Sequence, residues 1–153
     1  MNEDWKKDRI AACKNGTNPT FIMELKSGYL VIGDPQFLPG YCVLLYKEKI
    51  HSLNDLAIEQ RTEFLKEMTI VGDALNEIYH PRRINYEILG NLDEYVHAHI
   101  FPRYEWEGEY AKHSVRTYPK EKFREEKTQF LNLDSQEEIK NTIKNKVKEL
   151  MDK

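Results

Sequence analysis

Cysteine is scarce in this chain. Two cysteines in 153 residues, Cys13 and Cys42, are too few for a disulfide framework or a four-cysteine zinc site. Neither has an activating neighbour in sequence, and Cys42 sits in an apolar, strand-like run where a thiol behaves as a small hydrophobe. No apolar run approaches the roughly 18 residues that a membrane-spanning helix requires. The opening residues, Met-Asn-Glu-Asp-Trp-Lys-Lys-Asp, lack the apolar stretch of a secretory leader. A cytoplasmic protein with no membrane partner is therefore expected. A formal net charge of −3 supplies no basic surface, so nucleic acid is not an expected partner either. Internal repeats and low-complexity segments are also missing. What is left is 40% hydrophobic and 32% charged residues, the composition of one globular domain long enough to bury a core.

Periodicity divides the chain into elements. Residues 4 to 14 read as a short helix that Asn15-Gly16 ends with left-handed residues. Phe21 to Lys26 and Tyr29 to Ile32 read as strands joined through Ser27-Gly28, and Tyr41 to Tyr46 as a third strand rich in Val and Leu. From about Ala57 to Tyr79 the period changes. Phe64, Leu65, Met68, Val71, Leu75, Ile78 and Tyr79 recur at three and four, with Glu63, Lys66, Glu67, Asp73, Asn76 and Glu77 between them. That pattern is a long amphipathic helix, stopped at His80-Pro81. Two more strands follow, about Ile84 to Leu89 and Tyr95 to Arg103, close enough to be antiparallel neighbours. A capping-box pattern at Ser135-Gln136-Glu137-Glu138 opens a last helix, whose narrow stripe (Ile139, Ile143, Val147, Leu150) suggests peripheral packing. Strands grouped around one long helix, with helices at both termini, predict an α+β fold on an antiparallel sheet of about five strands.

The strand from Tyr95 carries the chemistry. Alternate residues share a face, so Tyr95, His97, His99 and Phe101 project one way while Val96, Ala98 and Ile100 project the other. The apolar set accounts for a buried side; it does not account for two histidines opposite. A neutral imidazole can attack phosphorus while a second donates a proton or hydrogen bond to the leaving oxygen, and a phosphate nearby would favour the second ring's protonated form. A chance pair and a metal-binding pair are the alternatives. No cysteine is close to complete a metal site, and the nearest acids are Asp93 and Glu94 in the preceding loop.

These residues resemble a known family. His97-Ala98-His99-Ile100-Phe101-Pro102-Arg103 is similar to the histidine triad signature, His-φ-His-φ-His-φ-φ with φ apolar, commonly followed by Pro-Arg. The stretch Gly28 to Leu45, with Pro39-Gly40 inside it, resembles that family's two nucleotide-contacting strands. Ser52-Leu53-Asn54-Asp55-Leu56 resembles its approach to the long helix, so the likeness covers about residues 21 to 104 of a single domain spanning 1–153, with 105–153 as a C-terminal extension. The family's first histidine is Tyr95 here, as in a bacterial branch often labelled diadenosine tetraphosphate hydrolases.

The resemblance implies a nucleotide hydrolase or nucleotidyl transferase acting at the α-phosphate of a dinucleoside polyphosphate or nucleoside phosphoramidate. His97 takes the place of the nucleophile and forms a covalent nucleotidyl-histidine, His99 faces the scissile bridge, and Asn91 carries an amide toward the α-phosphate. The carbonyl of Tyr95, which orients the nucleophile's other ring nitrogen, survives any side-chain substitution. Val31 and Val43 match positions flanking the base, Asp34 a ribose contact, Gly33 a backbone contact, and Tyr95 the nucleotide-facing row. The competing roles are turn residues for Asn91 and Asp34 and core residues for the valines. The resemblance also implies a homodimer through the long helix and a sheet edge. It requires no cofactor of the protein, any Mg²⁺ arriving with the substrate. A non-catalytic nucleotide-binding protein is the first rival, motivated by Tyr95, and a metal-binding β protein the second.

The remaining candidates take bland roles. Arg103 is expected in an exposed ion pair. Trp5, Tyr104 and Trp106 are expected to cover the core edge, and His51, His80 and His113 to lie on the surface. The segment 105–134 is expected to be irregular, as a flap over the substrate or a dimer arm.

Overall fold

The computed structural model describes residues 4–33, 36–121 and 133–153. Five strands form one antiparallel sheet: β1 (Phe21–Glu24), β2 (Gly28–Ile32), β3 (Cys42–Tyr46), β4 (Arg83–Glu87) and β5 (His97–Arg103). Their order is β1-β2-β3-β5-β4, which leaves β4 on an edge and β5 in the interior. The expected pairing of the last two strands holds, with Glu87 opposite His99 and Arg83 opposite Arg103. The helices are α1 (Arg9–Asn15), α2 (Ile58–Tyr79) and α3 (Leu133–Met151). A 3-10 turn at Asp4–Lys7 precedes α1, so the expected first helix is two pieces. Gly16 ends α1 at φ 80°, the left-handed conformation its sequence predicts.

The two faces of the sheet meet different partners. Leu30, Leu44, Ala98 and Ile100 are fully buried on the face that packs against Phe64, Met68, Val71 and Leu75 of α2. The last helix departs from expectation. Ile143 and Val147 are fully buried in the same core, where α3 packs on α2 and β1. Its stripe is narrow, but Ile139, Leu150 and Met151 pack partly buried around those two side chains.

Two charged side chains are buried where the sequence pattern places them outside. Glu67, read as polar spacing on α2, is fully buried, while Leu65 is 36% exposed. The Glu67 carboxyl group accepts from the backbone N–H of Lys26 (3.0 Å) and of Ser27 (2.8 Å) and from the Ser27 hydroxyl. It thereby caps the β1–β2 turn from beneath. Arg103, expected in an exposed pair, is 1% exposed. Its guanidinium pairs with Glu107 at 2.9 Å and donates to Asn85 Oδ1 and to the carbonyls of Tyr110 and His113. Glu107 also accepts from the Tyr104 backbone N–H and the Tyr118 hydroxyl.

That network fixes the described part of the segment after β5. Tyr104, Val115 and Tyr118 pack on Phe37, Leu38, Tyr41 and Phe101, so up to Tyr118 the segment is anchored against the sheet. Trp106 stacks on Tyr104 at 5.4 Å but is 61% exposed, and Trp5 is half-buried. His51, His80 and His113 are exposed as expected. Cys13 and Cys42 are both buried, and burial pushes the Cys13 thiol up to about 11 and Cys42 higher still. Among the described residues no helix is long and apolar enough to cross a membrane.

Removing the Glu67 carboxyl group strands one buried and one partly buried backbone donor, each costing up to about 1–3 kcal/mol when unpaired. Glu67→Ala is expected to lower stability by about 3 kcal/mol in urea denaturation, with Glu67→Gln losing less because its amide oxygen still accepts. A loss below about 1 kcal/mol would show that water replaces the carboxyl group.

Candidate functional site

The interior position of β5 decides where the histidines point. Ala98 and Ile100 enter the α2 side of the sheet, so His97 and His99 project from the opposite face. There the antiparallel register sets Val31, Val43, His99 and Glu87 in one row across four strands. Tyr29, Leu45 and His97 form the next row. This face is covered at its two ends and open between them. At one end α1 lies on it, with Ile10 and Cys13 against Tyr29, Val31 and Leu45. At the other end sits the Phe37–Tyr41 loop with the residues after Arg103. The opening between them is a cavity of about 160 Å³.

His97, His99, Tyr95, Val31, Gly33 and Val43 all line that cavity. Six of the residues picked out in the sequence thus come together. Asn91 does not line it. Its residue is exposed in the loop before β5, and Asp93, two positions later, lines the cavity instead. Asp34 lies outside the described residues.

The two imidazoles are 5.0 Å apart between ring centroids and nearly perpendicular, at 77°. Each is held by a different kind of group. His97 Nδ1 is 2.8 Å from the backbone oxygen of Tyr95. A carbonyl only accepts, so Nδ1 carries the hydrogen and, in the neutral ring, Nε2 carries the lone pair. His97 is 8% exposed, and a ring held this way can act as a nucleophile through Nε2.

His99 Nδ1 is 2.7 Å from the Tyr41 hydroxyl. Burial raises the Tyr41 pKa far above neutrality, so the phenol keeps its proton. Tyr41 is 7% exposed, and donation to Nδ1 is the arrangement that satisfies its buried O–H. The His99 hydrogen then sits on Nε2. Burial, reinforced by His97 and by Arg116, pushes the His99 pKa down to about 3. The second ring is therefore a neutral hydrogen-bond donor, whereas a phosphate partner would favour its protonated form. Glu87, its cross-strand neighbour, is engaged at 3.0 Å by Arg116.

Tyr41 was not among the sequence candidates, and neither was the reason for Gly33. A Cβ at Gly33 would stand 2.0 Å from the Tyr41 ring. Glycine there lets the ring cross β2 and stack on Phe101, with centroids 4.3 Å apart and planes at 18°. Phe101 in turn stacks on His99 at 5.7 Å and 8°. Arg9 is the other residue the sequence did not single out. It lines the cavity from the start of α1, with its guanidinium 4.9 Å from the centroid of the Trp5 ring. Among the described residues, no group of three or more His, Cys, Asp or Glu side chains is arranged to hold a metal ion.

The sequence matches no family model, and no curated protein matches it. Solved structures do match. A histidine triad protein from Bradyrhizobium japonicum superposes with a TM-score of 0.64 at 17% identity, covering 96% of each chain. A zinc-bound histidine triad family protein from Mycobacterium smegmatis gives 0.65 at 17% identity over 94% of each chain. A diadenosine triphosphate hydrolase from Plasmodium falciparum gives 0.55 at 20% identity, over 86% of this chain and 78% of that one. With its antiparallel sheet, long α2 and histidine-bearing β5, this chain has the fold of the histidine triad proteins.

Proposed function

We propose that the protein is a nucleotide hydrolase or nucleotidyl transferase in which His97 attacks the α-phosphorus of a nucleoside phosphate. The observation that carries this reading is the bond from His97 Nδ1 to the Tyr95 carbonyl, which leaves Nε2 bare in a cavity shared with His99. A bond forms between Nε2 and the α-phosphorus as the bond from phosphorus to the leaving group breaks, and the leaving group takes that electron pair. The product on the protein is a nucleotidyl-imidazole. Water then attacks phosphorus, Nε2 recovers its lone pair, and a nucleoside monophosphate and a proton are released. His99 Nε2–H donates a hydrogen bond to the leaving atom. Positioning and charge neutralisation supply most of the rate.

Val31 and Val43, Cα partners across β2 and β3, form the apolar wall for the base, and the backbone of Gly33 and the side chain of Tyr95 extend that surface. Asp34 retains its proposed ribose contact. Asn91 is exposed, so its amide reaches an α-phosphate only through a shift of the loop before β5. The diadenosine triphosphate hydrolase among the matching folds supports a dinucleoside polyphosphate as one substrate type. No step asks the protein for a metal. A metal-binding alternative has one observation behind it, the zinc in the Mycobacterium smegmatis protein of the same fold. We place the protein in the cytoplasm as a homodimer, joined along the β4 edge and α2, where Ile58, Leu65, Tyr86 and Leu89 are exposed apolar side chains.

Three measurements test this reading. Wild-type protein is expected to release adenosine monophosphate from diadenosine tetraphosphate or adenosine 5′-phosphoramidate, and His97→Ala to lower that rate by at least about a thousandfold while keeping nucleotide binding. Retained turnover in the variant would sink the nucleophile, and tight stoichiometric zinc after chelator washing would favour the metal alternative. Asn91→Ala in the same assay reads out the proposed amide contact.

The second measurement concerns pH. Between pH 8 and 5 the His99 ring resonances of the free protein are expected to stay flat in NMR, because its folded pKa of about 3 lies below that window. The unfolded chain binds this proton near pH 6.5 and the folded chain does not. Stability from this group is therefore complete above pH 6.5 and declines as pH falls toward 3. A His99 titration with a midpoint near 6.5 would remove the neutral donor from the scheme. Third, light scattering at micromolar concentration is expected to give twice the 18.2 kDa chain mass. Leu89→Glu should then shift the protein toward monomer, and a monomeric wild type would rule out the homodimer.

A further inference from the structure

The proposed reaction leaves the leaving group open between a phosphate and an amine. Two features of the cleft bear on that choice, and both rest on His97 being the nucleophile. The first is Arg9. Its side chain lies half-buried in the same cavity as His97 and His99, on a helix seated by Ile10 and Cys13. Arg82, Arg103 and Arg116 each meet a carboxylate (Glu105, Glu107 and Glu87), whereas Arg61 donates to backbone carbonyls. Among the described residues no carboxylate lies within 4.0 Å of Arg9, although Asp93 lines the same cavity. Its guanidinium carbon lies over the Trp5 ring, 4.9 Å from the centroid, a contact that uses none of its N–H donors. A half-buried, planar cation with no carboxylate among the described residues in salt-bridge contact, beside the proposed nucleophile, is suited to phosphate oxygens, which a guanidinium meets two at a time.

The second feature is the neutral state of His99. An amine expelled from phosphorus must pick up a proton, whereas a phosphate departs as an anion and needs only a hydrogen bond and a positive charge. Tyr41 holds Nδ1 of His99, so Nε2–H offers that hydrogen bond, and burial disfavours a second proton on the ring. Tyr95 links the two features. It packs against the α1 cluster of Ile10 and Cys13 from the position where the family signature has a histidine, and so helps to seat the helix that bears Arg9.

We propose that Arg9 receives the first phosphate of the leaving group, so that the cleft selects substrates whose α-phosphate is joined to a further phosphate over those that expel an uncharged amine. Arg9 is thus a specificity-determining residue. The substrate class is a nucleoside polyphosphate, free or capped by a second nucleoside.

The test is a ratio. The kcat/KM for diadenosine tetraphosphate divided by that for adenosine 5′-phosphoramidate is measured for wild type, Arg9→Gln, Arg9→Lys and, as a net-charge control, Lys7→Gln, whose partner is the exposed Asp4. Arg9→Gln is expected to lower the ratio by about 10- to 100-fold, the size of one charge-assisted phosphate contact, with Arg9→Lys recovering part of it. Lys7→Gln is expected to leave the ratio where it is. An unchanged ratio in Arg9→Gln overturns the proposal even if His97→Ala confirms the nucleophile, and so does an equal drop in Lys7→Gln. If wild type turns over neither compound, the ratio of Kd for AMP to Kd for ATP replaces it. A preference for ATP that Arg9→Gln abolishes upholds the anion site while the hydrolase reading falls. No preference in wild type, or one that Arg9→Gln leaves intact, overturns it.

Discussion

Strand β5 has neighbours on both sides, and its two faces have opposite tasks. With β3 on one flank and β4 on the other, its backbone donors and acceptors are committed to the ladder, so it cannot shift or twist to suit a ligand. A slip of one residue would drive His97 and His99 into the core and Ala98 and Ile100 into the cleft. The apolar cost of that exchange pins the register, since Ala98 and Ile100 are fully buried. Placement of His97 is thus secured by the hydrophobic core on the other side of the sheet. Rigidity of this kind suits a reaction in which a small displacement of the attacking atom is expensive.

Buried polar groups then hold the surroundings of that strand. Glu67 ties α2 to the β1–β2 turn, and the Arg103–Glu107 pair ties β5 to the segment that follows it. A buried ion pair is weak evidence for stability by itself, because desolvation offsets much of its attraction. Its value here is in fixing geometry. The pair also reaches Asn85 on β4, the Tyr110 and His113 carbonyls and Tyr118, and so converts an irregular run of residues into a wall for the Tyr41–Phe101 stack. That stack is what His99 leans on.

The strands, the long helix and the two histidines were legible because each leaves a local period or spacing. The alternation from Tyr95 to Phe101 separates site from core within seven residues. Long-range polar pairs leave no such trace. Glu67 meets donors 40 and 41 positions away, and Tyr41 meets His99 across 58. In sequence, Glu67 looks like one more acid between apolar positions and Arg103 like any charged strand end. Arg9 was invisible for a related reason. A charge at the start of a short helix faces solvent by default, and only the docking of α1 through Ile10 and Cys13 turns it toward the histidines. The narrow stripe of α3 misled in the other direction, because burial depends on the groove that receives a stripe as well as on its width.

The two histidines differ in what their chemistry depends on. The state of His97 is set by a backbone carbonyl, which is present whatever side chain stands at position 95. The side chain at position 95 can therefore change without taking that carbonyl from the His97 ring. The state of His99 is set by a side chain, and that side chain needs room: the Tyr41 ring occupies the space a Cβ at Gly33 would take, 2.0 Å away. Gly33, Tyr41 and His99 therefore act as one unit. Alanine at position 33 would displace the ring, take its hydroxyl from Nδ1 and free the tautomer of His99. The indifference of His97 to the side chain at position 95 and the constraint at position 33 are consequences of the same requirement, that each imidazole have one nitrogen held and the other turned to the cleft.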